Sequence, residues 1–183
     1  MQRRNILLPL GLLVIGSTAC RKQAPEVAPI PVDNPVTPPP PPPPPPPSNP
    51  GENPTEVTLI LRAEVEQNPI HFDYNLADIK PEDRPILDRK ADIMRANPGV
   101  RIRISGHADE RGSDEYNLVL GNQRAQAAKA YLQGRGIDGG RIEITSYGEE
   151  RPVDRAGTED AWAKNRRDEF EIIGGGGVLV RPR

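Results

Sequence analysis

The chain has 183 residues and a formal net charge of −2, with both signs of charge mixed along it, so strong nucleic-acid binding is not expected. Its single cysteine, Cys20, excludes an internal disulfide. Its two histidines, His71 and His107, are too few for a multi-histidine metal site. Residues 55–173, about 120 in number, are enough for one ordinary domain.

The first 19 residues are typical of a bacterial signal peptide. Arg3 and Arg4 form a basic start, and Ile6–Ile15 forms an apolar run. That run is too short to span a bilayer as a stable anchor. Residues 1–19 are therefore predicted to be removed.

Residues 17–20 resemble a lipobox, which predicts cleavage before Cys20 and lipid on its thiol. Ser17 stands where a larger aliphatic residue is usual, so an ordinary signal peptide with an incidental cysteine is the alternative. Arg21 occupies the position where aspartate would retain a lipoprotein in the inner membrane, which favours the outer membrane.

Residues 20–54 are predicted to be a tether. Pro38–Pro47 is a run of ten prolines, which lack an N–H donor and have a fixed φ. Such a run forms an extended helix with a rise of about 3.1 Å per residue, giving a stiff spacer of about 30 Å. The alternative is a docking site for a proline-recognising partner.

Residues 55–173 alternate between helical and strand patterns, and residues 174–183, which begin with four glycines, are predicted to be a flexible tail. For 55–67 a helix capped by Thr55 is favoured over a strand. The next helix starts at either Pro81 or Arg84. The predicted order is helix 55–67, strand 70–73, helix ending at 97, strand 100–105, helix 114–134, strand 141–145, short helix 158–164 and strand 169–173. This order fits either an α/β or an α+β fold.

The stretch from Gly106 to Arg124 carries the chemistry. A charged loop with Asp109 follows a strand and leads into a helix that Ser113 or Asp114 can cap, on which Asn117 and Arg124 share one face. The carboxylate and the guanidinium could converge on a zwitterion, with Asp109 facing an ammonium and Arg124 a carboxylate. An intramolecular ion pair between them is the alternative. Neither residue lies on the apolar stripe of its element, which for the helix is predicted to be Leu118, Gly121, Ala125, Ala128 and Leu132, so variants at both positions are expected to fold.

This stretch resembles the signature of OmpA-like peptidoglycan-binding domains, in the variant of their peptidoglycan-associated lipoprotein branch. The resemblance rests on Gly-His-Ala-Asp-Glu-Arg-Gly at 106–112, Glu-Tyr-Asn at 115–117 and Gly-Asn-Gln-Arg-Ala at 121–125. Flanking motifs at 72–74, 78–81, 146–149 and 163–167 occur in the same order.

The resemblance implies an α+β fold, with a four-stranded mixed sheet, two long helices on one face and additional short helices. It implies non-covalent binding of peptidoglycan through the diaminopimelate of the stem peptide, with Asp109 on the ammonium and Arg124 on the carboxylate. Phe72, Asp73, Asn117, Leu120 and His107 would line the pocket, with Asn165 and Arg166 supporting it. His107 could instead be a structural histidine, and Arg166 could stabilise the loop.

The resemblance also implies a lipoprotein of the Tol-Pal system that tethers the outer membrane to the cell wall in cell division and envelope integrity, with TolB as a partner. A wall anchor of another envelope machine, without TolB contact, is the alternative. A wall hydrolase is disfavoured because no serine or cysteine nucleophile motif accompanies His107 and Asp109. The sequence predicts neither an enzyme, a metal nor a cofactor.

Overall fold

The computed structural model describes residues 53–183. The predicted signal peptide, the lipidation of Cys20 and nearly all of the predicted tether lie outside the described residues. Within 53–183 the elements are α1 (Pro54–Glu66), β1 (Ile70–His71), α2 (Arg84–Ala96), β2 (Arg101–His107), α3 (Asp114–Gly134), β3 (Ile142–Gly148), α4 (Glu159–Asn165) and β4 (Arg167–Gly174).

The four strands form one mixed sheet in the order β1-β4-β2-β3. The central pair β2–β4 and the pair β1–β4 are antiparallel, whereas β2 and β3 are parallel. Inward side chains of the sheet, among them Ile102, Ile104 and Phe170, are buried in one core together with residues of α1, α2 and α3. The predicted α+β fold is therefore confirmed. Helix α1 packs in the same core as α2 and α3, the two long helices that were predicted.

The opposite face of the sheet is charged. Arg103 pairs with Glu143 and Glu171, and Arg101 pairs with Glu143, all across neighbouring strands. This alternation of apolar and charged residues along β2 fixes which face of the strand meets the helices, because a slip of one residue would bury the arginines.

Two helix starts differ in detail from the sequence prediction. The cap of α1 is Asn53, whose side chain accepts a hydrogen bond from the Thr55 N–H, so the predicted Thr55 cap is wrong by two residues. The two alternatives for α2 are both partly right. A 3-10 turn covers Pro81–Asp83 and the α-helix begins at Arg84, which lets both prolines occupy first-turn positions.

Helix α3 lies close against β2 because glycines face each other at the contact. A Cβ on Gly121 would lie 2.4 Å from Ser146 Oγ and 2.9 Å from the Gly106 carbonyl oxygen. The buried face of α3 includes Asn117, Leu120 and Arg124, whereas Leu118 is exposed. The predicted stripe is therefore wrong at Leu118, and polar residues occupy part of the buried face.

The C-terminal segment packs on the domain, so the predicted flexible tail is wrong. Leu179 is buried in the core, and its N–H donates to Thr58 Oγ1 of α1. Asn97 exchanges two hydrogen bonds with the backbone of Val180, at 2.8 and 2.9 Å. One apolar side chain and one amide thus hold a segment whose composition suggested disorder.

None of the helices between residues 53 and 183 is long and apolar enough to cross a membrane.

Gly121→Ala should lower the free energy of unfolding by about 2 kcal/mol or more, since the added methyl group has no space between α3 and β2. Gly134→Ala in the same helix is the matched control, because a Cβ there meets nothing within 4 Å. It should be neutral or stabilise by up to about 1 kcal/mol. Urea denaturation measures the free energy of unfolding of both variants. Equal changes would show that the close contact between α3 and β2 does not restrict the residue at position 121.

Candidate functional site

The loop at residues 108–113 joins β2 to α3 and presents Asp109. Ser113 caps α3 by accepting a hydrogen bond from the Tyr116 N–H, as predicted. Gly112 has φ of +127°, a conformation that L side chains rarely adopt, and this turns the chain into the helix. Asp109 is 4% exposed, so its carboxylate lies at the base of the loop rather than in solvent.

Two arginines hold the Asp109 carboxylate. Arg111 donates from Nε to Oδ1 at 3.1 Å and from Nη2 to Oδ2 at 2.7 Å, and its backbone N–H also donates to Oδ1. Arg166 donates from Nη1 to Oδ2 at 3.3 Å. Burial alone would raise the pKa of Asp109, but the hydrogen bonds from Arg111 and Arg166 outweigh it and lower the pKa. Asp109 is therefore ionised at neutral pH.

Arg124 is fully buried on the inner face of α3. Its guanidinium donates to three backbone carbonyls, from Nη1 to His107 at 2.7 Å, from Nε to Leu76 at 2.9 Å and from Nη2 to Asp73 at 3.1 Å. Burial lowers the pKa of Arg124 to about 10, which still leaves it charged at neutral pH. The expectation that Arg124 lies away from the packed face of its helix is therefore wrong.

Asp109 and Arg124 are neighbours but not an ion pair. Asp109 is bound by Arg111 and Arg124 by backbone carbonyls. The charge of Asp109 still raises the pKa of Arg124, although no hydrogen bond joins the two. Asp168 of β4 lies near Arg124, is fully buried, and has no hydrogen-bond partner on either carboxyl oxygen within the described part of the chain. Burial raises its pKa well above the usual value, against the charge of Arg124. A neutral Asp168 would leave the charge of Arg124 largely uncompensated.

Asn117 and Leu120, which were predicted to line the pocket, lie on the buried face of α3. The Asn117 amide donates to Glu149 Oε2 at 2.5 Å and to the Arg111 carbonyl at 3.4 Å. It thus joins the 108–113 loop to the segment after β3. Leu120 is 7% exposed and provides apolar packing on the same face.

Phe72 and Asp73 follow β1 and border an open hollow of about 370 Å³. The Phe72 ring is buried, whereas the Asp73 carboxylate is exposed and lies 3.7 Å from Lys80 Nζ. Arg166 also lines the hollow and donates from Nε to the Phe72 carbonyl at 3.0 Å. Since Arg166 also bonds Asp109, it links the hollow to the 108–113 loop, the loop-stabilising role that was one of its two predicted alternatives.

Asn165 supports a loop rather than the pocket itself. Its Oδ1 accepts hydrogen bonds from the N–H groups of Val153 and Asp154, and its Nδ2 donates to the Asp154 carbonyl at 2.7 Å. These bonds fix the residues before α4, which carries Glu159 and Trp162.

His107 is 1% exposed, and its ring stacks on Tyr147 with centroids 5.5 Å apart. Neither ring nitrogen has a hydrogen-bond partner in the described residues. Burial, aided by Arg167 and Arg151 and opposed by Glu169, lowers the pKa of His107 to about 4. The histidine is therefore neutral and buried, but its ring nitrogens lack the partners that a satisfied structural histidine would have in the described residues.

Sequence reasoning missed Arg111 and Asp168 as site residues. Arg111 follows Asp109 by two residues, a spacing at which the Asp side chain can accept from the backbone, and this signal was available. Asp168 occupies an inward position of β4, in phase with Phe170 and Ile172. A carboxylate in the apolar phase of a strand is the signal that could have identified it.

The sequence profile of the OmpA family matches residues 71–166, just over half of the chain. The chain belongs to the OmpA family. The matched region contains Asp109, Asn117 and Arg124, and the OmpA-like fold inferred from the sequence motifs is confirmed.

Relatives of this OmpA-family chain include proteins named peptidoglycan-associated lipoprotein. One from Haemophilus influenzae is 42% identical over 107 residues, covering 57% of this chain and 70% of that protein. One from Pseudomonas putida is 46% identical over 100 residues, covering 55% of this chain and 60% of that protein. The similarity thus spans about two thirds of these relatives.

Solved structures agree with the family. The crystal structure of the peptidoglycan-associated lipoprotein from Burkholderia pseudomallei is 34% identical, with a TM-score of 0.56 over 57% of this chain and 88% of that chain. The C-terminal domain of MotB from Helicobacter pylori is 22% identical, with a TM-score of 0.54 over 57% of this chain and 83% of that chain. The MotB likeness concerns the fold alone.

His107→Phe should remove a pH dependence of stability. The histidine pKa is about 4 in the folded protein and about 6.5 when unfolded, so folded protein binds fewer protons and loses stability as pH falls between these values. Between pH 7 and pH 4 the wild type should lose about 2–3 kcal/mol relative to the Phe variant. Urea denaturation across this range gives the difference, and a constant difference would contradict a buried neutral His107.

Proposed function

We propose that the domain binds peptidoglycan non-covalently, by holding the zwitterionic side chain of diaminopimelate in the stem peptide. The observation that carries the proposal is that a buried, ionised Asp109 and a buried, charged Arg124 are neighbours within the family-matched region without forming an ion pair with each other. The side chain of diaminopimelate ends in an ammonium and a carboxylate, which suit these two charges. The names of the relatives support the same class of ligand.

Asp109 would receive the ammonium, and Arg124 the carboxylate. The Nη1 and Nη2 groups of Arg124 each carry two N–H bonds, and the bonds to His107 and Asp73 use one from each. The second N–H of each nitrogen can then donate to a ligand carboxylate. Because Arg124 is fully buried, the exposed segment at residues 73–76 has to move aside for the ligand.

The domain acts in this proposal as a binding module and not as an enzyme. His107, the residue most suited to proton transfer, is stacked on Tyr147 and its pKa is far below neutrality. Proton transfer at neutral pH favours a group whose pKa lies near 7. His107 is thus unsuited to catalyse hydrolysis at neutral pH, and this supports a role of the domain in binding a charged ligand.

The whole chain would tether the outer membrane to the cell wall. Lipid on Cys20 would hold one end in the membrane, and residues 20–54 would give the domain its reach. TolB is the proposed protein partner, in a role within the Tol-Pal system in cell division and envelope integrity. Co-purification of TolB with the chain is the experiment that separates this role from that of a wall anchor in another envelope machine.

Asp109→Asn should weaken binding of a diaminopimelate stem peptide about tenfold or more, because a charge-assisted hydrogen bond contributes roughly 1.5–3 kcal/mol. The wild type should also bind a lysine-type peptide more weakly, since that peptide lacks the second carboxylate. Asp88→Asn is the matched control, because Asp88 also pairs with an arginine, Arg135, at the opposite end of α3. Isothermal titration measures the affinities of the wild type, Asp109→Asn and Asp88→Asn for these peptides.

Equal affinity of the wild type for the two peptides would refute the zwitterion clamp. Thermal melting of Asp109→Asn separates a binding defect from a folding defect, and an unfolded variant would give Asp109 a structural role. Arg124→Lys is unsuitable as a binding variant, since lysine cannot reproduce the three carbonyl hydrogen bonds of the buried guanidinium.

Cys20→Ser should abolish incorporation of labelled palmitate and release the chain from membranes. Attachment in this proposal depends on acyl chains, which serine at this position does not receive. Metabolic labelling followed by membrane fractionation is the measurement. Labelling of the Ser variant at the parental level would place the lipid elsewhere or exclude it.

A further inference from the structure

The Arg111 guanidinium binds the Asp109 carboxylate in the place where a ligand ammonium would bind it. It contacts both carboxylate oxygens, at 3.1 and 2.7 Å, and among the described residues Arg166 is the one other side chain that donates to that carboxylate. Any external cation that binds Asp109 therefore has to displace Arg111 or share the carboxylate with it. Displacement is the less crowded arrangement, since Asp109 already accepts from the Arg111 backbone and from Arg166.

Two aromatic rings enclose the Arg111 guanidinium. Its Cζ lies 4.0 Å from the centroid of Tyr74 and 4.1 Å from that of Trp162. Trp162 is held in place by a 3.1 Å hydrogen bond from its Nε1 to Glu110, whereas Tyr74 is 57% exposed. The faces of both rings attract cations of either type, guanidinium or ammonium. The two rings thus form a slot for a cation that leads from solvent to Asp109.

We propose that Arg111 is a specificity-determining residue that fills, in the free protein, the slot which a ligand ammonium takes between Tyr74, Trp162 and Asp109. This inference rests on the proposed function, in which an ammonium binds Asp109. A ligand without a positive charge cannot replace the guanidinium, because Asp109 would then face an uncharged group in a nearly closed site.

Arg111 has a second carboxylate to which it can move. Its Nη1 already donates to Glu159 Oε2 at 3.3 Å, at the start of α4. Glu159 is exposed and also pairs with Arg166 at 2.8 Å. When an ammonium binds Asp109, Arg111 keeps its ion pair with Glu159. The displacement of Arg111 therefore costs less than breaking an ion pair that has no second partner. Binding then exchanges one set of charge contacts for another.

Removal of Arg111 should therefore tighten binding of an ammonium ligand. Arg111→Ala should bind a diaminopimelate stem peptide about threefold tighter or more, since the ligand no longer competes with an internal cation. The same peptide acetylated on its side-chain amine should bind weakly and equally to wild type and Arg111→Ala. Isothermal titration of both peptides against both proteins measures this difference.

Arg135→Ala is the matched control. Arg135 also pairs with an aspartate and stacks on a tyrosine, but lies at the far end of α3, roughly 30 Å from the 108–113 loop at 1.5 Å per residue. It should leave both affinities unchanged. A gain in Arg135→Ala equal to that of Arg111→Ala would indicate a general effect of net charge and overturn the inference.

Trp162, the only tryptophan of the chain, gives a second readout in the wild type. Its fluorescence should change when the free-amine peptide displaces Arg111 from its ring, and not with the acetylated peptide. If Arg111→Ala does not fold, this titration tests by itself whether the ligand displaces Arg111. An unchanged emission on binding would overturn the inference. Weaker or equal binding by folded Arg111→Ala overturns the inference alone, whereas absence of binding by wild type and variant overturns the proposed function as well.

Discussion

The buried guanidinium of Arg124 is the interaction on which the candidate site depends. A charged group without partners inside a protein is strongly disfavoured, and here three carbonyls accept hydrogen bonds from it. These carbonyls belong to the segment after β1 and to the last residue of β2, while Arg124 itself belongs to α3. The guanidinium thus fixes the helix relative to the two segments that carry Asp73 and Asp109.

Carbonyls satisfy the donors of Arg124 but do not neutralise its charge. Asp168 is near enough to affect Arg124, yet its raised pKa favours a neutral carboxyl. Asp109, the ionised carboxylate nearby, is shared by Arg111 and Arg166. Arg111 and Arg166 also pair with the exposed Glu159. The two arginines thus share two carboxylates, while Arg124 has only carbonyl partners in the described residues, and the free site carries an excess of positive charge. This excess favours an anionic group near Arg124, whereas an ammonium at Asp109 would have to replace an arginine there or share the carboxylate with it.

The parts of the fold that sequence predicted are those set by local periodicity. Alternation along β2 identified its buried face, and the cap at Ser113 identified the start of α3. The failures involve partners far apart in the chain. Arg124 was predicted to lie off the packed stripe of α3, because two of its three carbonyl partners are 48 and 51 residues away in the chain. Likewise, Asn97 was read as a helix stop, but it also holds Val180, 83 residues later.

The same long-range contacts bear on how tightly the proposed site would bind. Its charged groups come from the segments around residues 72–76, 107–111, 117–124 and 159–168, and Asp109, Arg124 and Arg166 already have protein partners. A ligand therefore gains only the difference between its own contacts and those it replaces. In the proposed function, the contact replaced at Asp109 is a tethered guanidinium, and the contact replaced at Arg124 is that with the segment at 73–76. A site that loses internal contacts at both ends would hold a single stem peptide loosely, and firm attachment to a wall would then come from many chains acting together.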